Sequence, residues 1–391
     1  MYNIKSVVEK IAGGYQVKQI GIGIVGFGSM GKTHSYVIEN LKYFYNPLGF
    51  DARVVSVATA HVETARAAAD LIGCEPASSL DEIIARPDVD VVDICTPNIY
   101  HYDMLKKAIA AKKHIYCEKP LCITPEQADE VAELAERAGI RAQVVFHNRF
   151  FPAMQRAKQL VDEGRLGRIL SFRCCYRHSS ATDPDKNAGW KQNRDICGGG
   201  VLFDLGSHAL DLVYYLCGEY RSVVGRGQIA YPVRRGMDGC EWQTNADEAF
   251  YIIAELECGA VGTVEASKIA VGTNDDLVLE VFGEHGALRF DLMEPNWLYF
   301  YDGRREGGDL GGERGFTRIE CVGRTPAPGG VFPSVKAPVG WLRGHVGSYY
   351  AFLSAVAEGR DCMPSFRDAA HIQRVMDEAY RSAGMQCAGG K

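Results

Sequence analysis

The chain has no long basic run, no Cys-x-x-Cys pair, no Cys/His spacing of a zinc site and no continuous apolar stretch of membrane length. With a net charge of −6, the first absence argues against nucleic acid and against an anionic membrane as partners. The thirteen cysteines are odd in number and unpaired in spacing, so they are expected to be reduced thiols used as small core hydrophobes, with no metal site. Adjacent Cys174 and Cys175 would face opposite sides of a strand. The first nineteen residues mix Lys5, Glu9, Lys10 and Lys18 with isolated apolar residues. They lack the apolar core of a signal peptide, and the expected compartment is the cytoplasm. No internal repeat is visible, and the only low-complexity stretch is the short Ala-Gly-Gly-Lys end.

What is present is a change of grammar near residue 146. At 391 residues the chain is long enough for about two domains, each with its own core. Up to residue 146, after an extension over 1–19, short apolar strands alternate with helices. Ser79-Leu80-Asp81-Glu82 and Thr124-Pro125-Glu126-Gln127 read as helix starts, and Gly73 and Gly139 as stops. Strands apolar throughout, alternating with helices, predict a doubly wound parallel sheet covered on both faces. From 147 to 391 the pattern differs. Residues 168–178 alternate strictly, with Leu170, Phe172, Cys174, Tyr176 and His178 on one face and Ser171, Arg173, Cys175 and Arg177 on the other. That predicts an antiparallel strand, joined by further strands between 223 and 301 in one meandering sheet. Residues 302–340, rich in Gly and Pro, are expected to be surface loops, and two closing helices are expected over 344–358 and 366–382. The pattern therefore predicts two parts of unlike architecture: a doubly wound parallel sheet, then a domain built on one meandering, antiparallel-type sheet with closing helices.

The first domain opens on Ile24-Val25-Gly26-Phe27-Gly28-Ser29-Met30-Gly31, an apolar strand running into Gly-x-Gly-x-x-Gly. Gly26 permits the tight turn, Gly28 lets the backbone approach a pyrophosphate, and Gly31 lets the following helix pack closely on the strand. The helix N-terminus offers free N–H groups to phosphates. Forty-three glycines make a lone pattern weak, but its place after a buried strand marks a dinucleotide site.

Two further stretches carry chemistry. Cys117-Glu118-Lys119-Pro120 follows the fourth strand, and ligands of such sheets sit beyond the carboxyl ends of the strands. Gly198-Gly199-Gly200 leads into Asp204 and His208, spaced four apart on one face of a helix. Asp211 extends that face, and an Asp and a His so placed suit an acid/base relay.

Taken together, in this order and at these separations, the glycine motif, Glu118-Lys119-Pro120 and Gly-Gly-Gly…Asp204…His208 resemble the Gfo/Idh/MocA family, from about Ile20 to the last helix. Cys95-Thr96-Pro97-Asn98 with His101, and Trp190-Lys191, match further family stretches. The resemblance implies an α/β fold, an N-terminal Rossmann doubly wound parallel sheet followed by an α/β domain on a large, mostly antiparallel open sheet, and an NAD- or NADP-dependent dehydrogenase of sugars, inositols or polyols, with Lys119, Asp204 and His208 at the catalytic positions and a homodimer or homotetramer as the assembly. It places Gly26, Phe27, Gly28, Ser29, Met30, Gly31, Thr59, Thr96, Pro97, Asn98, His101, Glu118 and Lys119 along the cofactor. Asn148, Arg149, Tyr176, His178, Trp190, Lys191, Asp204 and His208 then face the substrate together with Lys119. Either Lys119 or His208 is the acid/base, the other hydrogen-bonds the substrate oxygen, and Asp204 orients both.

One expected residue is missing. NAD sites commonly carry an acid at the end of the second strand, and Thr59 stands there. No Arg follows for a 2′-phosphate, and without a cationic cluster NAD is favoured over NADP. Aromatic and hydrogen-bonding side chains in the second half suit a pyranose, and the long 302–340 segment with the connection lengthened around Tyr43-Phe44-Tyr45 resembles the family's larger members, which implies the narrower expectation of oxidation at C3 of a glycoside or anhydrosugar. Alternatives are an inositol dehydrogenase, an NAD-dependent glycosidase working by oxidation, elimination and re-reduction, and a non-catalytic sensor.

Overall fold

Six short strands run parallel because each returns through a helix. They are β1 (Lys18–Val25), β2 (Phe50–Ala58), β3 (Glu75–Ala77), β4 (Val91–Ile94), β5 (His114–Cys117) and β6 (Ala142–Val144), in the order β3-β2-β1-β4-β5-β6. The computed structural model describes residues 17–236, 239–337 and 339–385; most of the N-terminal extension lies outside them. Helices α1 (Ser29–Phe44), α2 (Val62–Ile72), α3 (Leu80–Ala85), α4 (His101–Ala110) and α5 (Pro125–Ala138) connect the strands. The start and stop signals work as read. Ser79 accepts from the Glu82 N–H and Thr124 from the Gln127 N–H, and Gly73 and Gly139 close their helices with left-handed backbone.

The second sheet has eight strands: β7 (Ile169–Arg177), β8 (Tyr220–Gln228), β11 (Ala249–Leu256), β12 (Val261–Ser267), β13 (Asp276–Gly283), β14 (Gly286–Asp291), β15 (Trp297–Asp302) and β16 (Phe316–Glu320). A separate hairpin pairs β9 (Val233–Arg235) with β10 (Glu241–Gln243). The large sheet is not a simple meander. Its order is β16-β15-β14-β13-β7-β12-β11-β8, with β7 in the middle, antiparallel to β13 and parallel to β12. Residues 302–340 are also not all loop, since β16 extends the sheet there.

Helices α6 (Pro152–Asp162), α7 (Arg194–Cys197), α8 (Ser207–Cys217), α9 (Trp341–Glu358) and α10 (Phe366–Ser382) complete the chain. Residues 194–217 are long and apolar enough to cross a membrane by composition, but they are mostly buried, as a core helix is. Phe250, Ile252 and Ala254 of β11 point into the core with α8 and α10. The opposite face stays open and carries exposed Val224, Tyr251, Ile253, Val261 and Phe282. Arg173 and Arg177 on that face pair across strands with Glu280 and Asp276. The described cysteines are free, and both Cys174 and Cys175 are buried.

Helix α9 departs from the two-part division. Its Val346, Tyr349, Phe352 and Leu353 pack with Ile20, Ile22 and Ile24 of β1 in one cluster. Tyr116 of β5 shares a hydrogen bond with Ser348, and the Tyr349 hydroxyl donates to Asp93 of β4. The chain thus returns to cover the first sheet, and it brings Trp341 and His345 to the cleft between the two halves.

Candidate active site

The cleft, about 1380 Å³, runs from the carboxyl ends of β1, β2, β4 and β5 to the second sheet. At the glycine turn, Gly26 has φ +93°, and a Cβ there would lie 2.7 Å from the Cys95 carbonyl oxygen. A Cβ on Gly31 would lie 2.3 Å from the Gly26 oxygen, whereas one on Gly28 would meet nothing in the protein. Gly28 therefore faces open cleft, and α1 starts beside it with no side-chain cap, leaving N–H groups free for an anion. A dinucleotide fits this cradle: backbone is bare where a pyrophosphate must approach and hard-packed on either side. Thr59 lies along the same cleft, 2.5 Å from the Thr64 hydroxyl.

Phe27, Gly28, Ser29, Met30, Thr96, Pro97, Asn98, Glu118 and Lys119 also line the cleft, as expected of cofactor neighbours. Two expected residues act differently. Gly31 works by packing and is absent from the lining. His101 is buried beneath the cleft, with ring nitrogens 3.0 and 2.9 Å from the Pro120 and Thr96 carbonyl oxygens. It braces the two loops instead of touching a ligand.

At the other end Asp204 is the hub. The Lys119 ammonium donates to its backbone oxygen at 2.5 Å and to Oδ1 at 3.0 Å. Lys191 reaches both carboxylate oxygens at 3.0 and 2.9 Å, and Lys268 lies 2.9 Å from Oδ2. Burial opposes the charge on Asp204, but the Lys119, Lys268 and Lys191 ammoniums outweigh it and hold the carboxyl well below its usual range. Residues Leu202–Gly206 form a π-turn ahead of α8, and Asp204 and His208 both face the cleft. No hydrogen bond joins these two among the described residues, so Asp204 fixes Lys119 but does not orient His208.

His208 is buried, and its Nδ1 has no hydrogen-bond partner. Burial and then the neighbouring Lys119 charge push its pKa well below the usual imidazole value, so it is neutral at neutral pH. His147 stands 5.0 Å from it, ring centre to ring centre, and stacks on His345 at 3.8 Å. Burial holds both of these neutral as well. His34 is the exception. Burial opposes its charge, but Asp93, 3.0 Å from Nδ1, outweighs it and raises the pKa, while Glu118 lies 3.4 Å from Nε2. The group His34, Asp93 and Cys95 has the donor types of a metal site, yet these side chains already hydrogen-bond one another.

Tyr176, His178, Trp190 and Lys191 line the substrate end as expected. The Tyr176 hydroxyl donates to Asp275 at 2.7 Å, and His178 Nε2 lies 2.9 Å from the same oxygen. Two expectations fail here. Arg149 points away into a buried cluster, donating to Asp211 at 2.5 to 3.1 Å and to Asp368 at 3.3 and 3.4 Å. That engagement also removes Asp211 from any acid/base face. Asn148 is buried outside the cleft lining. The sequence reading missed Lys268, His147, Trp341 and His345. Lys268 follows β12, whose parallel pairing with β7 puts it beside His178, and no local pattern announces that pairing.

A nucleotide cradle at the ends of a doubly wound sheet, facing an ammonium, a carboxylate and a neutral imidazole, defines an NAD-binding oxidoreductase. Residues 20–146 match the model of the oxidoreductase family with an NAD-binding Rossmann fold, and residues 154–289 match the GFO/IDH/MocA C-terminal domain. The chain belongs to the Gfo/Idh/MocA family. It is 31% identical over 385 residues to levoglucosan dehydrogenase of Pseudarthrobacter phenanthrenivorans, covering 95% of this chain and 97% of that one. It is 25% identical to inositol 2-dehydrogenase of Rhizobium meliloti, covering 93% and 96%. A structure of levoglucosan dehydrogenase in complex with NADH and levoglucosan superposes with a TM-score of 0.89 at 31% identity, covering 94% of this chain and 97% of that one.

Proposed function

We propose that this chain is an NAD-dependent dehydrogenase that oxidises a secondary hydroxyl of a cyclic sugar, glycoside or related polyol, with C3 of a pyranoside as the narrower reading. The observation that carries this is the meeting, in one cleft, of bare backbone at Gly28 with Lys119 and neutral His208. Nearly full-length similarity to sugar and inositol dehydrogenases supports the substrate class.

The nicotinamide of bound NAD supplies the hydride acceptor. Residues Gly26 to Met30 would hold its pyrophosphate, and Thr96 to Asn98 with Glu118 would flank its other end. The protein must then take the hydroxyl proton and stabilise the developing alkoxide. His208 is the group that enters the reaction neutral, so it is the base. Lys119 is fixed by two contacts to Asp204, which suits its N–H donors to stabilise negative charge developing on the substrate oxygen. The open outer face of the second sheet supports a homo-oligomer, and the cytoplasm remains the proposed compartment.

The test is absorbance of reduced nicotinamide while the protein is offered free sugars, inositols and glycosides with NAD. Reduction with a pyranoside supports the reading. Turnover of inositols alone removes the narrower form, and no reduction together with no nucleotide binding overturns it.

A further inference from the structure

At the substrate end, part of the cleft wall comes from a segment with little regular structure. Tyr176 lies on β7, Lys268 directly follows β12, and Asp204 and His208 lie on the turn and helix of α8. Ser180, Lys186, Asn187, Trp190 and Lys191 instead line the cleft from residues 178–193, which hold one short 3-10 turn at Trp190–Gln192. Side chains on such a strap stay placed only if a rigid scaffold holds its backbone. Ser179 and the Ala181 N–H fix the start of the strap, on the Thr273 and Lys268 carbonyls. Residues 231–245 hold the rest. Three consecutive strap carbonyls are engaged from there: Ala181 and Asp183 accept from the two Arg234 Nη groups, each at 2.7 Å, and Thr182 accepts from the Tyr231 hydroxyl at 3.0 Å. Further along, the Ala188 N–H donates to the Arg235 carbonyl at 2.8 Å and the Arg194 N–H to Asn245 Oδ1 at 2.7 Å. The two strands of this segment, β9 and β10, pair only with each other and extend neither large sheet.

Arg234 is the centre of this hold. Its side chain and that of Glu248 are 1% and 3% exposed and meet at 2.6 Å. Glu248 also accepts from the Ala230 and Tyr231 N–H groups at 2.9 Å, and the guanidinium lies 4.8 Å from the Tyr231 ring centre. A buried ion pair often stabilises a fold no better than apolar packing does. What this pair adds is a planar fork fixed in one orientation, with its outer donors aimed at the strap. Lys191 is tied a second time, by Asp204, whereas no hydrogen bond holds the Trp190 side chain among the described residues. On the reading that this site oxidises a sugar hydroxyl, we propose that Arg234 is a positioning residue for the substrate: through the strap it sets Trp190, 38% exposed at the cleft, as the wall against which the sugar packs its C–H face.

The experiment takes the sugar that reduces NAD fastest and measures its KM and kcat, with NADH affinity by fluorescence, in Arg234→Lys, Tyr231→Phe and Trp190→Ala. Lysine keeps a cation beside Glu248 but lacks the fork that reaches both strap carbonyls. The expected result in Arg234→Lys is a sugar KM about tenfold or more higher with NADH affinity unchanged, and a smaller rise in Tyr231→Phe. Trp190→Ala should raise KM by a similar factor, and adding Arg234→Lys to it should change little further, because both act through one ring. If Arg234→Lys loses NADH and sugar binding together, the fold has loosened generally and Tyr231→Phe decides. A wild-type KM in the deciding variant, a wild-type KM in Trp190→Ala, or additive losses in the double variant overturns the inference while the hydroxyl-oxidation reading stands. Absence of NAD reduction with every sugar removes that reading, and the inference with it.

Discussion

Mild acid should destabilise this protein through its neutral buried histidines. His147, His208 and His345 are all held below their ordinary pKa by burial, so the folded state binds no proton at these sites as pH falls. The unfolded chain does, near pH 6.5. Stability that is present above the unfolded value is therefore lost below it. Between pH 6.5 and 5.5 each such group costs about 1 kcal/mol, roughly 3 for the three. Three groups work the other way: His34, Asp211 and Asp247, whose carboxyl is raised by burial. His34, whose pKa is raised in the fold, has given most of its stabilisation by pH 6.5 and adds only a few tenths of a kcal/mol below it. Asp211, pushed up to about 6 by burial against the pull of Arg149, takes a proton within the window and returns less than about 1 kcal/mol. His114 and His371, also lowered by burial, add to the loss, whereas His101, lowered as well, lies between two carbonyls that would accept from an imidazolium. The expected net loss is about 2 kcal/mol, read as the drop in unfolding free energy from urea titrations at the two pH values. His345→Gln removes one protonation site and should shrink the drop by about 1 kcal/mol. Equal stability at both pH values, or no difference between variant and wild type, would refute the neutral assignment, and with it the case for His208 as the base.

Lys119→Ala and His208→Ala should each lower kcat by roughly a hundredfold to ten-thousandfold, with NADH affinity by fluorescence titration changed only a few-fold. Gly28→Val should leave the melting temperature unchanged and raise the KM for NAD, because its side chain enters open cleft; Gly26→Ala should instead lower the melting temperature, because it meets Cys95 at positive φ. Arg149→Met strands two buried carboxylates and should cost about 3–5 kcal/mol in urea unfolding with little change in KM, since Arg149 lies outside the cleft. If the proposed homo-oligomer forms through the open sheet face, Ile253→Glu with Val224→Glu should reduce the mass measured by light scattering to that of one chain, and a wild-type mass of one chain would overturn that proposal.

Local signals carried most of the first domain. The glycine turn, the capping residues Ser79 and Thr124, and the stops at Gly73 and Gly139 each act within a few residues, and each is readable one segment at a time. In the second half the strands and the closing helices were legible, but the order of the sheet was not. That β7 pairs in parallel with β12 depends on contacts almost a hundred residues apart, and Lys268 became a site residue through that pairing alone. Arg149 illustrates the opposite error. A positively charged residue after the last strand of the first domain suits a substrate, but Asp211 and Asp368 arrive from α8 and α10 to claim it. Neither partner is near it in sequence. His345 and Trp341 were hidden for a similar reason, since helix α9 crosses back to the first sheet.

The position of Asp204 explains why the reacting groups had to be found together. Lys119 comes from the end of β5 in the first sheet, while Lys191 and Lys268 come from the second half of the chain. One carboxylate on the turn before α8 holds all three. Lys119 could rotate freely if the two halves separated, because its described side-chain contacts are both to Asp204. Its alignment is thus a property of the interface between the halves and not of the Glu118-Lys119-Pro120 turn alone. Asp204→Asn tests this. The amide keeps the shape and the Lys119 bond to the backbone oxygen but removes the carboxylate charge that the three ammoniums share. If the carboxylate is what aligns Lys119, kcat should fall about as far as in Lys119→Ala while NADH affinity holds. A variant retaining near wild-type kcat would show that the backbone oxygen alone positions Lys119.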